Sequence, residues 1–264
     1  MTDDRPIGVF DSGVGGLTVA KEIIQALPNE SIVYFGDSLR MPYGERDADD
    51  LEQLSRRIIT FLMSKNIKAL VVACGSISAK IFERVKRQVP PDFPIFEMVS
   101  PAISAALDAT KNGKIGVLAT AGTVASGTHE KLLKNVLPNA EITAVAAPLF
   151  APLIEEGWVD NEVARLTAQI YLKPFENSGI DTLLLACTHF PLMHGAIAAA
   201  LPTNVKIIDP SKRLAADARK VLYFDDNATP PPEHQFFVTA KKEKFDKIAE
   251  MVLGFGVDSQ LTSI

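Results

Sequence analysis

Short apolar runs alternate with segments of helical periodicity along most of the chain. The runs are rich in β-branched residues and have the length of strands. They cover residues 7–10, 31–35, 69–73, 115–118, 142–146, 182–185 and 205–208. The helical segments include residues 17–27, 51–65, 77–89, 163–175 and 213–222. Strands that alternate with helices predict βαβ units with mostly parallel sheets covered on both faces, so we predict an α/β fold.

The chain also repeats itself weakly, which indicates two similar halves. Residues 7–10 and 115–118 open the halves in the same style, and small hydroxylated residues and glycines follow each run. Later in each half an apolar strand ends in a cysteine, Cys74 or Cys187, again followed by hydroxyl residues and a helical segment. We therefore predict two pseudo-symmetric α/β domains.

The matching positions of the two cysteines suggest a shared site. Ligands of open α/β sheets bind beyond the carboxyl ends of the strands, where both thiols are predicted to lie. Two halves that face each other would place one thiol on each side of a cleft. Most free cysteines are small buried hydrophobes, but this explanation is weaker for a matched pair. A redox pair is disfavoured because the chain has no close-spaced dithiol motif.

Composition and charge narrow the class of ligand. Hydrophobic residues make up 47% of the chain and charged residues 22%, as in a soluble compact protein. The formal net charge of -5 argues against a nucleic-acid partner, which would require clustered Lys and Arg, and favours a small organic substrate. No signal peptide and no apolar run of membrane-spanning length is evident, so we expect a cytoplasmic protein without a membrane partner, whose thiols stay reduced.

Long ordered motifs extend over almost the whole chain. They lie at residues 8–18, 35–37, 42–44, 74 and 187–192. With these motifs the chain resembles the glutamate racemases of the aspartate/glutamate racemase superfamily. The resemblance implies a homodimer that converts free L-glutamate to D-glutamate for peptidoglycan without a cofactor. It also implies an inserted domain, for which we predict residues 99–209 with Cys187, while residues 1–98 and 210–264 form the first domain with Cys74.

The chemistry of racemisation explains why two thiols would be needed. A weakly acidic α-proton must leave one face of the substrate and a proton must return to the other face. Two bases on opposite sides are the minimal arrangement, and Cys74 and Cys187 provide it. The thiolate is the active form of cysteine, and it is favoured beside cations and at helix N-termini.

The resemblance assigns further catalytic and substrate-binding roles. Asp11 supports Cys74, and His189 and Glu155 support Cys187, as electrostatic or proton-relay groups. Without the resemblance, Asp11 could equally be a helix cap or turn residue, His189 a core histidine and Glu155 a residue of a surface helix. Backbone amides and hydroxyl groups would hold the substrate. The substrate-binding residues implied by the resemblance are Asp11, Ser12, Pro42, Tyr43, Gly44, Gly75, Ser76, Thr120, Thr123, Thr188 and His189.

The chain departs from the family pattern directly after the first cysteine. The family commonly has Asn and then Thr at these positions, where this chain has Gly75 and Ser76. Ser76 keeps the hydroxyl, whereas Gly75 lacks a side-chain donor. We expect Gly75→Asn to raise kcat/KM for glutamate if the backbone φ of Gly75 is not positive. The chain also has Ala147 where the family has a cysteine before a proline.

Nucleotide and metal sites are disfavoured. The glycines at 13, 15 and 16 suggest a dinucleotide loop, but Thr18 occupies the last glycine position of that fingerprint and no Gly-Lys-Ser/Thr element follows. The remaining histidines, His129, His194 and His234, have no metal-ligand partner at a recognisable spacing, so we predict no metal site.

Three other functions fit parts of the sequence. A racemase of the same fold could act on aspartate or a hydantoin-like compound, although the stretch at 42–44 favours glutamate. A thiol hydrolase could use Cys187 and His189, but it would leave Cys74 without a role. A binding protein could also retain a racemase scaffold without its activity, as suggested by the gyrase binding of some glutamate racemases.

Overall fold

A computed structural model describes residues 3–222 and 232–264. The strands of this part of the chain are β1 (Ile7–Asp11), β2 (Ile32–Gly36), β3 (Ala69–Val72), β4 (Ile95–Glu97), β5 (Lys114–Ala119), β6 (Glu141–Ala146), β7 (Thr182–Leu185), β8 (Lys206–Ile208), β9 (Gln235–Val238) and β10 (Gln260–Leu261). They form a six-stranded sheet of order β10-β9-β2-β1-β3-β4 and a four-stranded sheet of order β6-β5-β7-β8. All of these strand pairs are parallel.

Helices connect the strands and pack on the sheets. They are α1 (Leu17–Ala26), α2 (Ala48–Ser64), α3 (Gly75–Lys86), α4 (Val99–Ala109), α5 (Ala121–Ser126), α6 (Thr128–Val136), α7 (Phe150–Glu155), α8 (Glu162–Leu172), α9 (His194–Ala199), α10 (Ser211–Val221) and α11 (Lys242–Leu253). Short 3₁₀ helices span Lys173–Phe175 and Phe190–Met193. No helix of the described residues has both the length and the apolar character needed to cross a bilayer.

Both sheets are covered on two faces, which explains their apolar strands. In β1, Val9 packs in the cluster that includes α1 and α10, whereas the next residue, Phe10, packs in the cluster that includes α2 and α3. In β5, Val117 packs with α4 and Leu118 with α7 and α8. Successive strand residues face opposite sides of a sheet, so both registers must be apolar here.

The two sheets share one topology, which confirms the predicted pair of pseudo-symmetric α/β domains. The order β2-β1-β3-β4 in the first sheet corresponds to β6-β5-β7-β8 in the second. In each, the chain moves to one side of the first strand and then crosses to the other side. Such a switch point opens a crevice at the carboxyl ends of the two central strands. Cys74 follows β3 and Cys187 follows the equivalent β7.

All seven predicted strands are present, with ends that differ by at most one residue. The prediction did not include β4, β9 and β10, which have three, four and two residues. The predicted strand β8 also has only three residues, so length alone does not explain the omission of β4, β9 and β10. Their strand conformation depends on pairing with a neighbour that the tertiary fold supplies.

We propose the domain division given above, 1–98 with 210–264 and an inserted 99–209. Two contacts support these limits. The helix α4 packs in the core cluster of the second sheet, where Val99 and Ile103 join Ile115. The helix α10 instead packs against α1, and Leu214 and Ile23 belong to one cluster. The proposed division therefore falls next to the N-termini of α4 and α10.

Candidate active site

The two cysteines line one small cavity between the sheets, one from each domain. Cys74 is the residue before α3, and Cys187 lies between β7 and the 3₁₀ helix Phe190–Met193. Their exposed fractions are only 3% and 9%. Both line the same small cavity at the carboxyl ends of the central strands. The structure thus brings together two thiols that are far apart in the sequence.

Most of the predicted site residues line this cavity. They are Asp11, Ser12, Pro42, Tyr43, Gly44, Cys74, Gly75, Ser76, Thr120, Cys187, Thr188 and His189. Two predicted residues, Thr123 and Glu155, stand behind the wall and contact lining residues. Met41 and Ala151 also line the cavity but were not predicted. Met41 precedes the motif at 42–44, which could have suggested it, whereas Ala151 in α7 carries no sequence signal.

The Asp11 carboxylate connects the two halves of the site. It is fully buried at the end of β1. One oxygen accepts a hydrogen bond from the Ser12 amide at 2.6 Å, and the other accepts one from the Thr188 hydroxyl at 2.9 Å. Burial raises the pKa of Asp11, although the positive charge of His189 and the bonds from Thr188 and Ser12 oppose this rise. The Asp11 carboxylate therefore interacts with Ser12 of the first half and with Thr188 and His189 of the second half.

The Cys74 thiol lies in a setting that favours its protonated form. Burial raises the pKa of Cys74 well above its ordinary value, and the negative charge of Asp11 raises it further. The backbone amides of Ile77 and Ser76, at the N-terminus of α3, act in the opposite direction. Without a ligand, these surroundings therefore keep Cys74 in its thiol form.

The Cys187 thiol lies beside a buried ion pair. His189 Nδ1 is 3.9 Å from Cys187 Sγ, and His189 Nε2 is 2.8 Å from Glu155 Oε1. Burial lowers the pKa of His189, but the hydrogen bonds and charges of Cys187 and Glu155 outweigh it and raise this pKa well above its ordinary value. His189 therefore places a positive charge directly beside the Cys187 sulfur.

Glu155 is held from both sides of the cleft. Burial raises its pKa, but the hydrogen bond with His189 and the backbone amide of Val14 lower it overall. The Val14 amide belongs to the glycine-containing loop after β1 and donates to Glu155 Oε1 at 3.0 Å. The loop that suggested a nucleotide site therefore holds the carboxylate that pairs with His189.

Hydrogen bonds join the two halves of the site beside the cavity. The Gly122 amide donates a hydrogen bond to the Gly44 carbonyl at 3.1 Å, and a Cβ atom at 122 would overlap that carbonyl. Next to this contact, Ser76 and Thr120 share a hydroxyl hydrogen bond of 3.1 Å. Polar groups of the two halves are therefore in direct contact next to the cavity that the two thiols line.

Gly75 marks a second point of close approach. A Cβ atom at this position would lie 2.7 Å from the Ala186 carbonyl oxygen of the opposite domain. The φ of Gly75 is not positive, so the backbone conformation itself does not require glycine. Space, not conformation, restricts the side chain at position 75.

The described residues contain no group of three or more His, Cys, Asp and Glu side chains placed to hold a metal ion. The reactive groups that the site brings together are two thiols with unequal electrostatic surroundings. Such a pair can exchange protons with two faces of one carbon atom.

Comparison with known proteins gives a consistent assignment. Residues 7–218 match the family model of Asp/Glu/Hydantoin racemase. The chain is 42% identical over 258 residues to glutamate racemase 2 of Caldanaerobacter subterraneus subsp. tengcongensis, covering 97% of this chain and 96% of that protein. A crystal structure of a glutamate racemase isoform from Bacillus anthracis superposes with a TM-score of 0.92 and 36% identity, with 98% of both chains covered.

A second solved structure is glutamate racemase from Francisella tularensis in complex with D-glutamate. It superposes with a TM-score of 0.89 and 34% identity, and the match covers 98% of each chain. Identity above 30% over nearly the full length of both chains, together with one shared fold, establishes the relationship. This protein belongs to the Asp/Glu/Hydantoin racemase family and, within it, to the glutamate racemases.

Proposed function

We propose that this protein interconverts L- and D-glutamate without a cofactor and supplies D-glutamate for peptidoglycan synthesis. The observation that carries the proposal is that Cys74 and Cys187 occupy equivalent positions of two similar domains and line the same cavity. The relatives named above are glutamate racemases that match this chain over almost their whole length, which supports glutamate as the substrate.

The reaction is a proton exchange at the α-carbon. In one direction the Cys187 thiolate removes the α-proton, and the Cys74 thiol delivers its proton to the opposite face of the carbanion. The products are the other enantiomer, a Cys187 thiol and a Cys74 thiolate. In the reverse direction the roles exchange, so both thiols act as base and as acid.

In this mechanism the charge of the bound substrate offsets the negative charge that Cys74 faces. Cys74 lies near Asp11, whose charge disfavours a second anion. The α-ammonium group of a bound amino acid would place a positive charge near both groups. A nearby positive charge favours the thiolate and the carboxylate, so binding prepares Cys74 to act as a base. On the other wall, His189, paired with Glu155, already provides a positive charge beside Cys187.

The polar lining can hold the remaining substrate groups. We assign substrate contacts to Ser12, Pro42, Tyr43, Gly44, Gly75, Ser76, Thr120 and Thr188, as the resemblance implies. Thr123 supports Thr120 through a hydroxyl hydrogen bond of 3.0 Å. The Tyr43 hydroxyl donates to Asp37 at 2.5 Å, so Tyr43 contributes chiefly its fixed ring and backbone to the wall.

We also propose that the protein forms a homodimer through α8. Val163, Leu166 and Ile170 form an exposed apolar strip along this helix, with exposed fractions of 44, 52 and 71%. Glu162 lies at the start of α8 and Lys173 directly after its end. Two antiparallel copies of α8 would bury the strip and bring these opposite charges together, which suits a two-fold interface.

The first prediction concerns turnover. Incubation with either glutamate enantiomer, without added cofactor, will drive the circular dichroism signal to zero, because the equilibrium constant between enantiomers is one. In deuterated water the product will carry α-deuterium before the recovered substrate does, as expected for two bases. Aspartate incubated in parallel tests the related substrate. Dependence on pyridoxal phosphate or a metal ion would contradict the proposal, and trapping of an acyl-enzyme would indicate a Cys187 hydrolase.

The two thiols can be tested separately. Cys74→Ala and Cys187→Ala will each abolish racemisation in both directions, since every turnover uses one thiol as base and the other as acid. Asp11→Asn and His189→Asn will reduce kcat by roughly 10²- to 10⁴-fold, with unequal factors in the two directions. The two kcat/KM values must fall together. Substantial activity in either cysteine variant would refute the assignment.

The close contact at Gly75 reverses the expectation drawn from the family pattern. An Asn side chain would meet the Ala186 carbonyl, a backbone atom that can yield only if the domains separate. Overpacking of about 1–3 kcal/mol corresponds to roughly a ten- to hundredfold loss in kcat/KM. We therefore predict that Gly75→Asn lowers kcat/KM for glutamate. The matched control is Gly195→Ala, where a Cβ meets nothing within 4 Å, and an Asn variant faster than the wild type would restore the original expectation.

The dimer prediction uses the apolar strip on α8. The double substitution Leu166→Glu and Ile170→Glu will convert the dimer to a monomer in sedimentation velocity, because it places like charges in the buried strip. Val136→Glu is the matched control, since Val136 is a 62% exposed residue on α6 of the same proposed domain. A wild-type monomer, or a double variant that remains dimeric, would reject this interface.

A further inference from the structure

A chain of hydrogen bonds leads from the core of the first domain to the second thiol, and it begins at Tyr34. This tyrosine lies in β2 and is fully buried. Its ring packs against Phe236 and Phe245, with centroid distances of 6.0 and 5.8 Å. Its hydroxyl donates a hydrogen bond of 2.7 Å to the Gly13 carbonyl oxygen. The mechanism described above does not use this hydroxyl.

The bonded carbonyl and the amide that holds Glu155 belong to the same peptide unit. The Gly13 carbonyl accepts from Tyr34, and the Val14 N–H of that unit donates to Glu155 Oε1 at 3.0 Å. The same carboxylate oxygen lies 2.8 Å from His189 Nε2. A peptide unit is planar and its C=O and N–H point in opposite directions. Fixing the carbonyl therefore fixes the direction of the N–H.

Three glycines allow this peptide to fit between the hydroxyl and the carboxylate. A Cβ at Gly13 would overlap the Glu155 carboxylate, and a Cβ at Gly16 would lie 2.7 Å from the Tyr34 hydroxyl. A Cβ at Gly36 would lie 3.1 Å from the Gly13 carbonyl oxygen. A buried hydroxyl needs only some acceptor. Here the packing selects the one carbonyl whose peptide also contacts the His189 partner.

We propose that Tyr34 is a positioning residue for Cys187. It orients the peptide between Gly13 and Val14, whose amide fixes Glu155, which in turn fixes His189 beside the thiol. The inference rests on the proposed two-thiol function, but the reactivity of Cys187 can be measured without turnover. Burial raises the pKa of the Tyr34 hydroxyl well above its ordinary value, so it remains a donor over the whole working pH range.

The test isolates one thiol at a time. The chain has two cysteines, so Cys187 is the sole thiol of a Cys74→Ala protein. Without the Tyr34 hydroxyl, the peptide between Gly13 and Val14 is no longer held at its carbonyl, so the Val14 amide holds Glu155 less firmly. The carboxylate then draws the His189 proton more strongly, which leaves less positive charge beside the thiol. Tyr34→Phe in this background will move the pH profile of iodoacetamide alkylation to higher pH. The rate at neutral pH will fall about three- to tenfold, as expected for loss of one hydrogen bond in the chain.

The reciprocal background shows whether the effect is local. In a Cys187→Ala protein, Tyr34→Phe will leave the alkylation profile of Cys74 unchanged. Tyr171→Phe is the matched control and will leave both profiles unchanged. Tyr171 lies in α8, and its hydroxyl accepts only a long bond of 3.4 Å from the Leu149 amide. A Cys187 profile that does not move to higher pH, or a Cys74 profile that moves as far, would overturn the proposal.

A second variant disturbs the same link from the opposite side. Gly13→Ala places a methyl group against the Glu155 carboxylate and leaves Tyr34 intact. It will shift the Cys187 profile in the same direction as Tyr34→Phe, and a Cys187 profile that stays in place would count against the proposal. Circular dichroism and thermal unfolding identify variants that fail to fold, and either variant suffices for the test.

Turnover separates this inference from the proposed function. With both thiols present, Tyr34→Phe will lower kcat/KM for glutamate by one factor in both directions, whereas kcat will change by different factors. If the wild type racemises glutamate and the Cys187 profile does not move, only the positioning role fails. If the profile moves and no racemisation occurs, the positioning role stands and the proposed reaction fails.

Discussion

The close approach of two backbone surfaces is the constraint on which the whole site depends. Two thiols can reach opposite faces of one carbon only if two domains meet around it. In this protein the meeting surfaces carry glycines where side chains would collide, at Gly75 against Ala186 and at Gly122 against Gly44. Most of the residues that line the resulting cavity are buried, which strengthens the charge interactions among them. Packing and electrostatics are therefore set by the same contacts.

Hydrogen bonds between the domains hold the two supporting carboxylates of the site, Asp11 and Glu155. Asp11 of the first sheet holds Thr188, and Glu155 receives the Val14 amide from across the cleft. Each supporting carboxylate thus has its full set of partners only when the two surfaces meet. This coupling offers a simple reason why charged groups can be buried here: each is paired or hydrogen-bonded from both sides.

The surroundings of the two thiols differ although the domains are similar. Cys74 lies near an anion and at a helix N-terminus, whereas Cys187 lies beside an imidazolium. The two thiols therefore face charges of opposite sign before the substrate binds. The pseudo-symmetry supplies two equivalent positions, and local substitutions in the loops supply the chemical difference. The same division of labour between scaffold and loops is general in α/β proteins.

The sequence by itself determined the α/β class, the two similar halves and the identity of the two thiols, because periodicity, repetition and motif spacing are properties of local chain segments. It also indicated most lining residues, since they follow strands whose ends meet at one sheet edge. Only the tertiary structure decided that Glu155 and Thr123 stand behind the wall, that Ala151 lines it, and that Gly75 is restricted by the Ala186 carbonyl. Each of these depends on a distance between segments far apart in the chain, and no local pattern encodes such a distance.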